Sequence, residues 1–486
     1  VTDQVRRPRP RHALVVGYHR APPPRRTGAG PSTPASPNGI LPTLSSAFAD
    51  GLPGIWVAGE QGGGRGARGT PDRPGDDRPS APRARPGEPP LSLVPLSARR
   101  WRGYFHRACK ETLWPVLMSE PGRSAFDHRS WADYRAVNTR FAEHIAARAA
   151  AGATVWLHDY NLWLVPGLLR TARPDLRVGL FHHTPFPAPE TFAALPVAGE
   201  LRSSLARLDW AGFHTAEFAE HFRGMFGAAG DAPVLPPRIG VHPLGIDRPA
   251  IEAIARSRPR PSRPERPAPT DGRIVVLSVE RLDYAKAPVQ KVDAVDRLLA
   301  ARPDLRGRLT FRLVCPPPEP GITAYDSTRA RLEERVAAVN DAWRRGGWQP
   351  VDYRPGRLPF PEVVGAYLAA DVFWVTSLQD GMNLTAKEFV AARTAAPRPG
   401  PRGPGVLVLS RHAGAAATFG AAALLTDPRS PGDLSATLAR ALDLTPAERG
   451  SRMARLSALL GRERPVDWAL GIVDAIRRSR PPGPDG

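Results

Sequence analysis

The sequence predicts an α/β protein built of two doubly wound, parallel-sheet domains. Three observations predict it. Short apolar runs alternate with helical patterns through both halves of the chain, and the runs are continuous rather than alternating, as strands covered on both faces should be. A stretch rich in proline and arginine, SRPRPSRPERPAP at 257–269, separates the two halves as a linker would. The length of 486 residues suits two domains better than one small one.

Taken in order, the first half offers strands at 13–16, 154–157, 178–181 and 210–213, with a helical pattern at 162–171. The second half offers strands at 274–278, 310–314, 372–375 and 406–409, with helical patterns at 329–345 and 384–393. The expected boundaries are a first domain over 12–251, a linker over 252–272 and a second domain over 273–465. A helix at 466–476 is expected to pack back on the first domain. Residues 60–92, rich in Gly, Pro and Arg, read as a disordered insertion in the first domain.

Charge first suggests a polyanion partner: 67 basic against 47 acidic side chains give +20. Its placement argues otherwise. Only four basic residues are lysine (Lys110, Lys286, Lys291 and Lys387), a bias that reflects genome composition more readily than phosphate contacts. About +16 of the total lies in five segments of tail, insertion or linker composition (1–26, 60–100, 252–273, 397–404 and 477–486), and the rest of the body is nearly neutral. No nucleic-acid role is expected. No apolar run approaches a membrane span, and no apolar segment follows the basic start, so the expectation is a cytoplasmic protein without membrane partners. Cys109 and Cys315 are too few for a disulfide framework or a cysteine zinc site.

Open parallel sheets bind ligands beyond the carboxyl ends of their strands. At those ends stand His158 and Asp159, His182 and His183, Arg281 and Lys286, and Asp380 to Asn383. Each alone reads as a loop cap or a satisfied core histidine. Four together, spread over both halves, point to a shared cleft. The run from Asp380 through Leu384 opens a helix whose free N–H groups suit a phosphate. Glu388, one turn further on, suits ribose hydroxyls. Arg281 and Lys286 can neutralise a departing diphosphate without a metal. No GxxxxGK[ST], HExxH or GxSxG run is present, and no GxGxxG follows a predicted strand, so the corresponding nucleotide, zinc and serine-hydrolase chemistries are not expected.

Four long runs carry a family resemblance: WLHDYNLWLVP at 156–166, GLFHHTPFPAPETFAALP at 179–196, SVERLDYAK at 278–286 and DGMNLTAKEFVAAR at 380–393. Shorter matches are LWP at 113–115, HPLGI at 242–246 and GVLVLSRHAGAA at 405–416. The chain resembles the trehalose-6-phosphate synthase family of retaining glycosyltransferases, over nearly all of residues 12–475. The resemblance implies the GT-B architecture, two doubly wound domains facing across a cleft. It implies transfer of glucose from UDP-glucose or GDP-glucose to glucose 6-phosphate, giving trehalose 6-phosphate, with no cofactor and no metal. It implies small-molecule substrates and leaves a homo-oligomer open. Carried over by motif, Arg281 and Lys286 hold the donor diphosphate, Asp380 the donor sugar hydroxyls, and His183 the donor sugar near the reacting centre. Met382, Asn383 and Leu384 line the donor site, Glu388 binds the ribose, and Gly39 belongs to a loop that closes on the diphosphate. Arg20 binds the acceptor phosphate, while Trp114 and Asp159 hold the acceptor sugar.

The acceptor half departs from that pattern. The family's phosphate-binding tyrosine falls on Phe105, beside Tyr104. A second phosphate-binding arginine falls on Glu319, whose charge would repel a phosphate. The first loop glycine is Asn38, the glycine after the diphosphate lysine is Ala287, and HDYH reads HDYN, ending in Asn161. Two readings follow beside the leading one. The acceptor is changed, to a cyclitol or another sugar, with Arg107, Lys110 or Arg312 replacing the lost groups. Or the chain is a catalytically silent protein that binds a nucleotide sugar.

Overall fold

The computed structural model describes residues 11–22, 36–61, 89–227, 235–257, 273–396, 403–462 and 464–479. Most of the 60–92 insertion, and the linker beyond residue 257, lie outside the described residues. The chain divides into two compact units. One draws on residues 1–25, 40–244 and 465–486, the other on 26–39 and 245–464.

The first unit holds seven parallel strands: β1 (His12–Tyr18), β2 (Ile55–Gln61), β3 (Leu91–Leu96), β4 (Ala149–His158), β5 (Arg177–Phe181), β6 (Trp210–Phe213) and β7 (Arg238–Val241). Their order is β3-β2-β1-β4-β5-β6-β7, so the sheet winds outward in both directions from β1 and β4. Residues 60–61 and 91–92 extend paired strands, because Glu60 and Gln61 sit opposite Pro95 and Leu96 in the β2–β3 ladder. The insertion is therefore shorter at both ends than composition suggests.

The second unit holds β8 (Ile274–Val279), β9 (Leu309–Val314), β10 (Val351–Arg354), β11 (Val372–Val375), β12 (Val406–Ser410) and β13 (Leu424–Thr426), in the order β10-β9-β8-β11-β12-β13. Successive residues of these strands serve opposite cores. Phe373, Val375, Leu407 and Leu409 enter one cluster, while Val372, Trp374, Val406 and Val408 enter the other. A sheet buried on both faces needs apolar residues at every position, which explains the continuous runs.

Two segments depart from the expected boundaries. Residues 252–257, read as linker, form the end of a helix, Arg248–Ser257, and its Ile251 and Ala255 are buried in the second unit's core. The unit boundary accordingly falls between Leu244 and Gly245, not at 251. The last helix, Pro465–Arg478, belongs to the first unit. A Cβ added at Gly179 of β5 would lie 2.4 Å from Ile476 Cγ1, so this position must lack a side chain for the helix to seat.

The segment Arg102–Leu113 is a π-helix of 12 residues. Its wider turn places residues five apart on one face, so Phe105 and Lys110 come together. No helix among the described residues is long and apolar enough to cross a membrane.

Candidate functional site

In the second unit the expected residues gather at the carboxyl ends of β8, β11 and β12. Asp380 follows β11. Its carboxylate Oδ2 accepts from Lys286 Nζ at 2.5 Å, Asn383 Nδ2 at 2.8 Å and Ser377 Oγ at 3.1 Å. Burial opposes that charge, yet Lys286 and the two neutral donors outweigh it and hold the carboxyl below its usual range. The loop after β12 fixes the backbone beneath: Asp380 N donates to His412 O, Gly414 N to Asp380 O, and Ala415 N to Met382 O. A Cβ on Gly414 would come within 2.0 Å of Gly381 O, so only glycine permits this approach.

Asn383 caps the helix Leu384–Ala395 from a left-handed backbone (φ 70°), accepting Ala386 N–H at 3.1 Å. Met382 is buried beside it. On the β8 side, Asp283 caps the short turn Tyr284–Lys286 and accepts from Tyr325 OH at 3.1 Å. Arg281 is exposed at the same strand end. Ala287 takes the left-handed conformation (φ 52°, ψ 46°), which explains why the resembled family places glycine here.

Glu388 is buried and fully engaged on both oxygens. Tyr367 OH donates to Oε2 at 2.8 Å, while Asn38 Nδ2 and Ser36 Oγ donate to Oε1 at 2.7 and 3.0 Å. Burial pushes its carboxyl above the usual range against those three donors. Asn38 thus fills, with a side chain, the place of a loop glycine. Gly39 follows at φ 114°.

Beneath Arg281 lies a buried pair that the motif reading did not single out. Lys291 Nζ donates to Glu280 Oε2 at 2.6 Å, with both side chains almost wholly enclosed. Neither residue type announces burial in a sequence, because lysine and glutamate are ordinarily exposed.

In the first unit, Asp159 follows β4 with an unusual backbone (φ 65°, ψ 178°), a region nearly confined to glycine. Its Oδ1 accepts from Thr184 Oγ1 at 3.0 Å, and its N–H donates to Phe181 O at 2.9 Å. Two neighbouring strand ends are thereby locked. His183 lies within hydrogen-bonding distance of His158, 3.0 Å between His158 Nδ1 and His183 Nε2.

A second cluster surrounds Phe105. The Arg20 guanidinium stands 5.1 Å from its ring and the Lys110 ammonium 5.8 Å. Lys110 Nζ also lies 3.6 Å from the centre of the Trp114 ring and 5.8 Å from Tyr160. His19 stacks on Phe105 at 5.4 Å, and burial, then Arg20 and Lys110, hold it well below the usual imidazole range.

The structure locates each of the alternative residues. Tyr104 is fully buried and donates its hydroxyl to Asn161 O, so it does not replace the missing tyrosine. Asn161, one of the departures from the family pattern, meets Cys109 Sγ through Nδ2 at 3.2 Å. Arg107 pairs with Glu111 and Arg312 with Asp352. Lys110 stands in the aromatic cluster instead. Glu319 is half-buried in the loop after β9. Among the described residues, no group of three or more His, Cys, Asp and Glu side chains could hold a metal ion.

The family model "Glycosyltransferase family 20" matches residues 85–478. A glucosylglycerol-phosphate synthase of Pseudomonas anguilliseptica is 37% identical over 481 residues, 91% of this chain and 62% of that protein, so the chain spans less than two thirds of that relative's length. A glucosylglycerol-phosphate synthase of a Synechocystis strain is 30% identical over 492 residues, covering 94% of this chain and 96% of that one. Among solved structures, an alpha,alpha-trehalose-phosphate synthase (UDP-forming) from Burkholderia vietnamiensis superposes with a TM-score of 0.83 at 30% identity, covering 97% of each chain.

Proposed function

The chain belongs to glycosyltransferase family 20, and from that premise we propose that it transfers glucose, with retention, from a nucleotide sugar to a short phosphorylated polyol of the glycerol phosphate class. The observation that carries the acceptor is Lys110 Nζ at 3.6 Å over Trp114. By resemblance that indole would hold the acceptor sugar. Here an ammonium covers it, so a hexose ring would have to displace a cation. A three-carbon acceptor needs no such platform, and it brings a phosphate dianion to Lys110 and Arg20. The names of the two relatives described above point the same way.

The donor chemistry follows from the second unit. Arg281 and Lys286 supply positive charge to the leaving diphosphate, which takes the proton of the acceptor hydroxyl as the glycosidic bond forms on the same face. Asp380, held by Lys286, Asn383 and Ser377, presents its remaining oxygen to the sugar hydroxyls, and these fixed groups align donor and acceptor. No metal is required on this reading, and turnover should persist in excess EDTA.

A second reading, trehalose 6-phosphate formation from glucose 6-phosphate, draws on Trp114 and Asp159, which keep the residue types of the sugar-binding positions. Initial rates with UDP- and GDP-glucose, each against sn-glycerol 3-phosphate and glucose 6-phosphate, separate the two. The expected result is a kcat/KM at least about tenfold higher for glycerol 3-phosphate, lost in Lys110→Met with the donor KM unchanged. Preference for glucose 6-phosphate selects the second reading. Donor binding without turnover of either acceptor sinks both, and directs attention to an unphosphorylated acceptor such as a cyclitol, or to a silent nucleotide-sugar-binding role.

A further inference from the structure

The first unit's strand order, β3-β2-β1-β4-β5-β6-β7, reverses its direction of winding between β1 and β4. In a parallel sheet, the crevice beyond the carboxyl ends at such a reversal is where small ligands lodge. Gly17 of β1 pairs with Leu157 of β4, and the next residues along, Tyr18 and His158, have their rings 5.9 Å apart. The first residues past the two strands are His19 and Asp159.

Asp159 is engaged, since Thr184 Oγ1 donates to it at 3.0 Å. His19 is packed rather than bonded. Its ring stacks on Phe105 at 5.4 Å and meets Tyr18 edge-on at 4.5 Å. Only 6% of its surface is exposed. Nδ1 is enclosed and has no hydrogen-bond partner, and of the two nitrogens only Nε2 is not enclosed. That difference selects a tautomer. A proton on Nδ1 would be an enclosed donor without an acceptor, the costlier kind of orphan. A proton on Nε2 leaves Nδ1 bare and puts the N–H where a ligand can reach it. Burial, then Arg20 and Lys110, keep the ring well below the usual imidazole range, so near pH 7 it is neutral and carries a single N–H.

The neighbours define what that N–H can meet. The Arg20 guanidinium lies 5.1 Å and the Lys110 ammonium 5.8 Å from the same Phe105 ring on which His19 stacks. Two cations and one neutral donor therefore gather around a single aromatic side chain. A compact anion with several acceptor oxygens can satisfy all three together, and a phosphate monoester is such an anion.

We propose that His19 is a specificity-determining residue for the acceptor: its Nε2–H donates to a phosphate oxygen beside Arg20 and Lys110, in a phosphate site drawn from the first unit. The proposal rests on the reading above that the acceptor is phosphorylated. It applies to sn-glycerol 3-phosphate and to glucose 6-phosphate alike.

The experiment is calorimetric titration of the full chain, with UDP or GDP present, by each of those two compounds, together with donor and acceptor KM values, for wild type, His19→Phe and His19→Gln. Phenylalanine keeps a ring against Phe105 but has no N–H, whereas glutamine carries an amide N–H near the place of Nε2. His19→Phe should weaken binding of the better acceptor, and raise its KM, about tenfold or more, with the donor KM unchanged. His19→Gln should return both to within about threefold of wild type. A role in packing alone predicts the opposite order, with His19→Phe close to wild type and His19→Gln impaired. A His19→Phe variant that matches wild type, or a His19→Gln variant no better than His19→Phe, overturns the proposal. The underlying reading fails separately: wild-type protein that binds neither phosphorylated compound sinks both, while wild-type protein that binds one of them as tightly as His19→Phe does sinks the assignment of His19 alone.

Discussion

Asn38 donates its side-chain amide to Glu388 Oε1 at 2.7 Å and, with its own oxygen, accepts Asp247 N–H at 2.7 Å. A residue from a loop near the start of the chain thus occupies the carboxylate that the family pattern assigns to ribose. On the proposed reading, a donor sugar nucleotide competes with it. Asn38→Gly should lower the donor KM about two- to tenfold, the worth of one ordinary net hydrogen bond. The kcat should change little. Isothermal titration with the donor nucleotide diphosphate measures the same difference directly.

Lys286 serves two partners in the proposed reaction, Asp380 now and the leaving diphosphate during transfer. Lys286→Ala should lower kcat by about 10² to 10³. The fold should survive, because Asp380 keeps Asn383 and Ser377. Without the ammonium the Asp380 carboxyl rises, so the acid limb of the pH–rate profile should move to higher pH. A limb that stays in place would separate Asp380 from that ionisation.

The histidine pair makes stability pH-dependent with a definite sign. His158 folds with its value lowered from 6.5 to about 3, so at pH 5 the unfolded chain is protonated there and the folded protein is not. Its contribution is complete above about pH 6.5 and is lost as pH falls toward 3, at up to about 1.4 kcal/mol per pH unit. Urea midpoints at pH 7 and 5 should fall less steeply for His158→Asn than for wild type.

The Glu280–Lys291 pair is enclosed beneath the donor-side loop. Burial raises the carboxyl and lowers the ammonium, each against the pull of its partner. Lys291→Met leaves a buried carboxylate without its partner and should cost about 3–5 kcal/mol. The double variant with Glu280→Gln should recover much of that loss. Equal losses for single and double variants would mean that packing, not charge, dominates here.

Ala287 holds a left-handed backbone conformation that its Cβ disfavours. Ala287→Gly should raise stability by about 0.5–1 kcal/mol, the relief of strain less the added freedom of the unfolded chain. Thermal denaturation checks it. A loss instead would mean that the turn is held by groups which the glycine loosens.

Much of the architecture was legible, and the pattern of misses has a physical cause. Eight strands, β1, β4, β5, β6, β8, β9, β11 and β12, read as apolar runs, whereas β2, β3, β7, β10 and β13 did not. In β3 the run contains Pro95, tolerated at an edge. β10 reads VDYR, and β13 has three residues. The π-helix around Phe105 escaped because such turns are rare and the reading looked only for the α-helical and strand periods. At the site, the positions after each strand were legible from topology alone. The partners of those residues were not. Asn38 lies 350 positions from Glu388, and His158 is recognisable as a partner of His183 only once β4 and β5 are paired.

The helix Pro465–Arg478 has a consequence for how the molecule is made. Its Trp468 and Ile476 complete the packing around β4 and β5, yet all of residues 245–464 leave the ribosome first. The sheet that begins at His12 must therefore wait, one face unfinished, until the second unit has been synthesised, and the second unit can finish folding before the first. Ribosome-bound chains halted short of residue 465 should hold the second unit in a protease-resistant form while β4 and β5 remain open to cleavage.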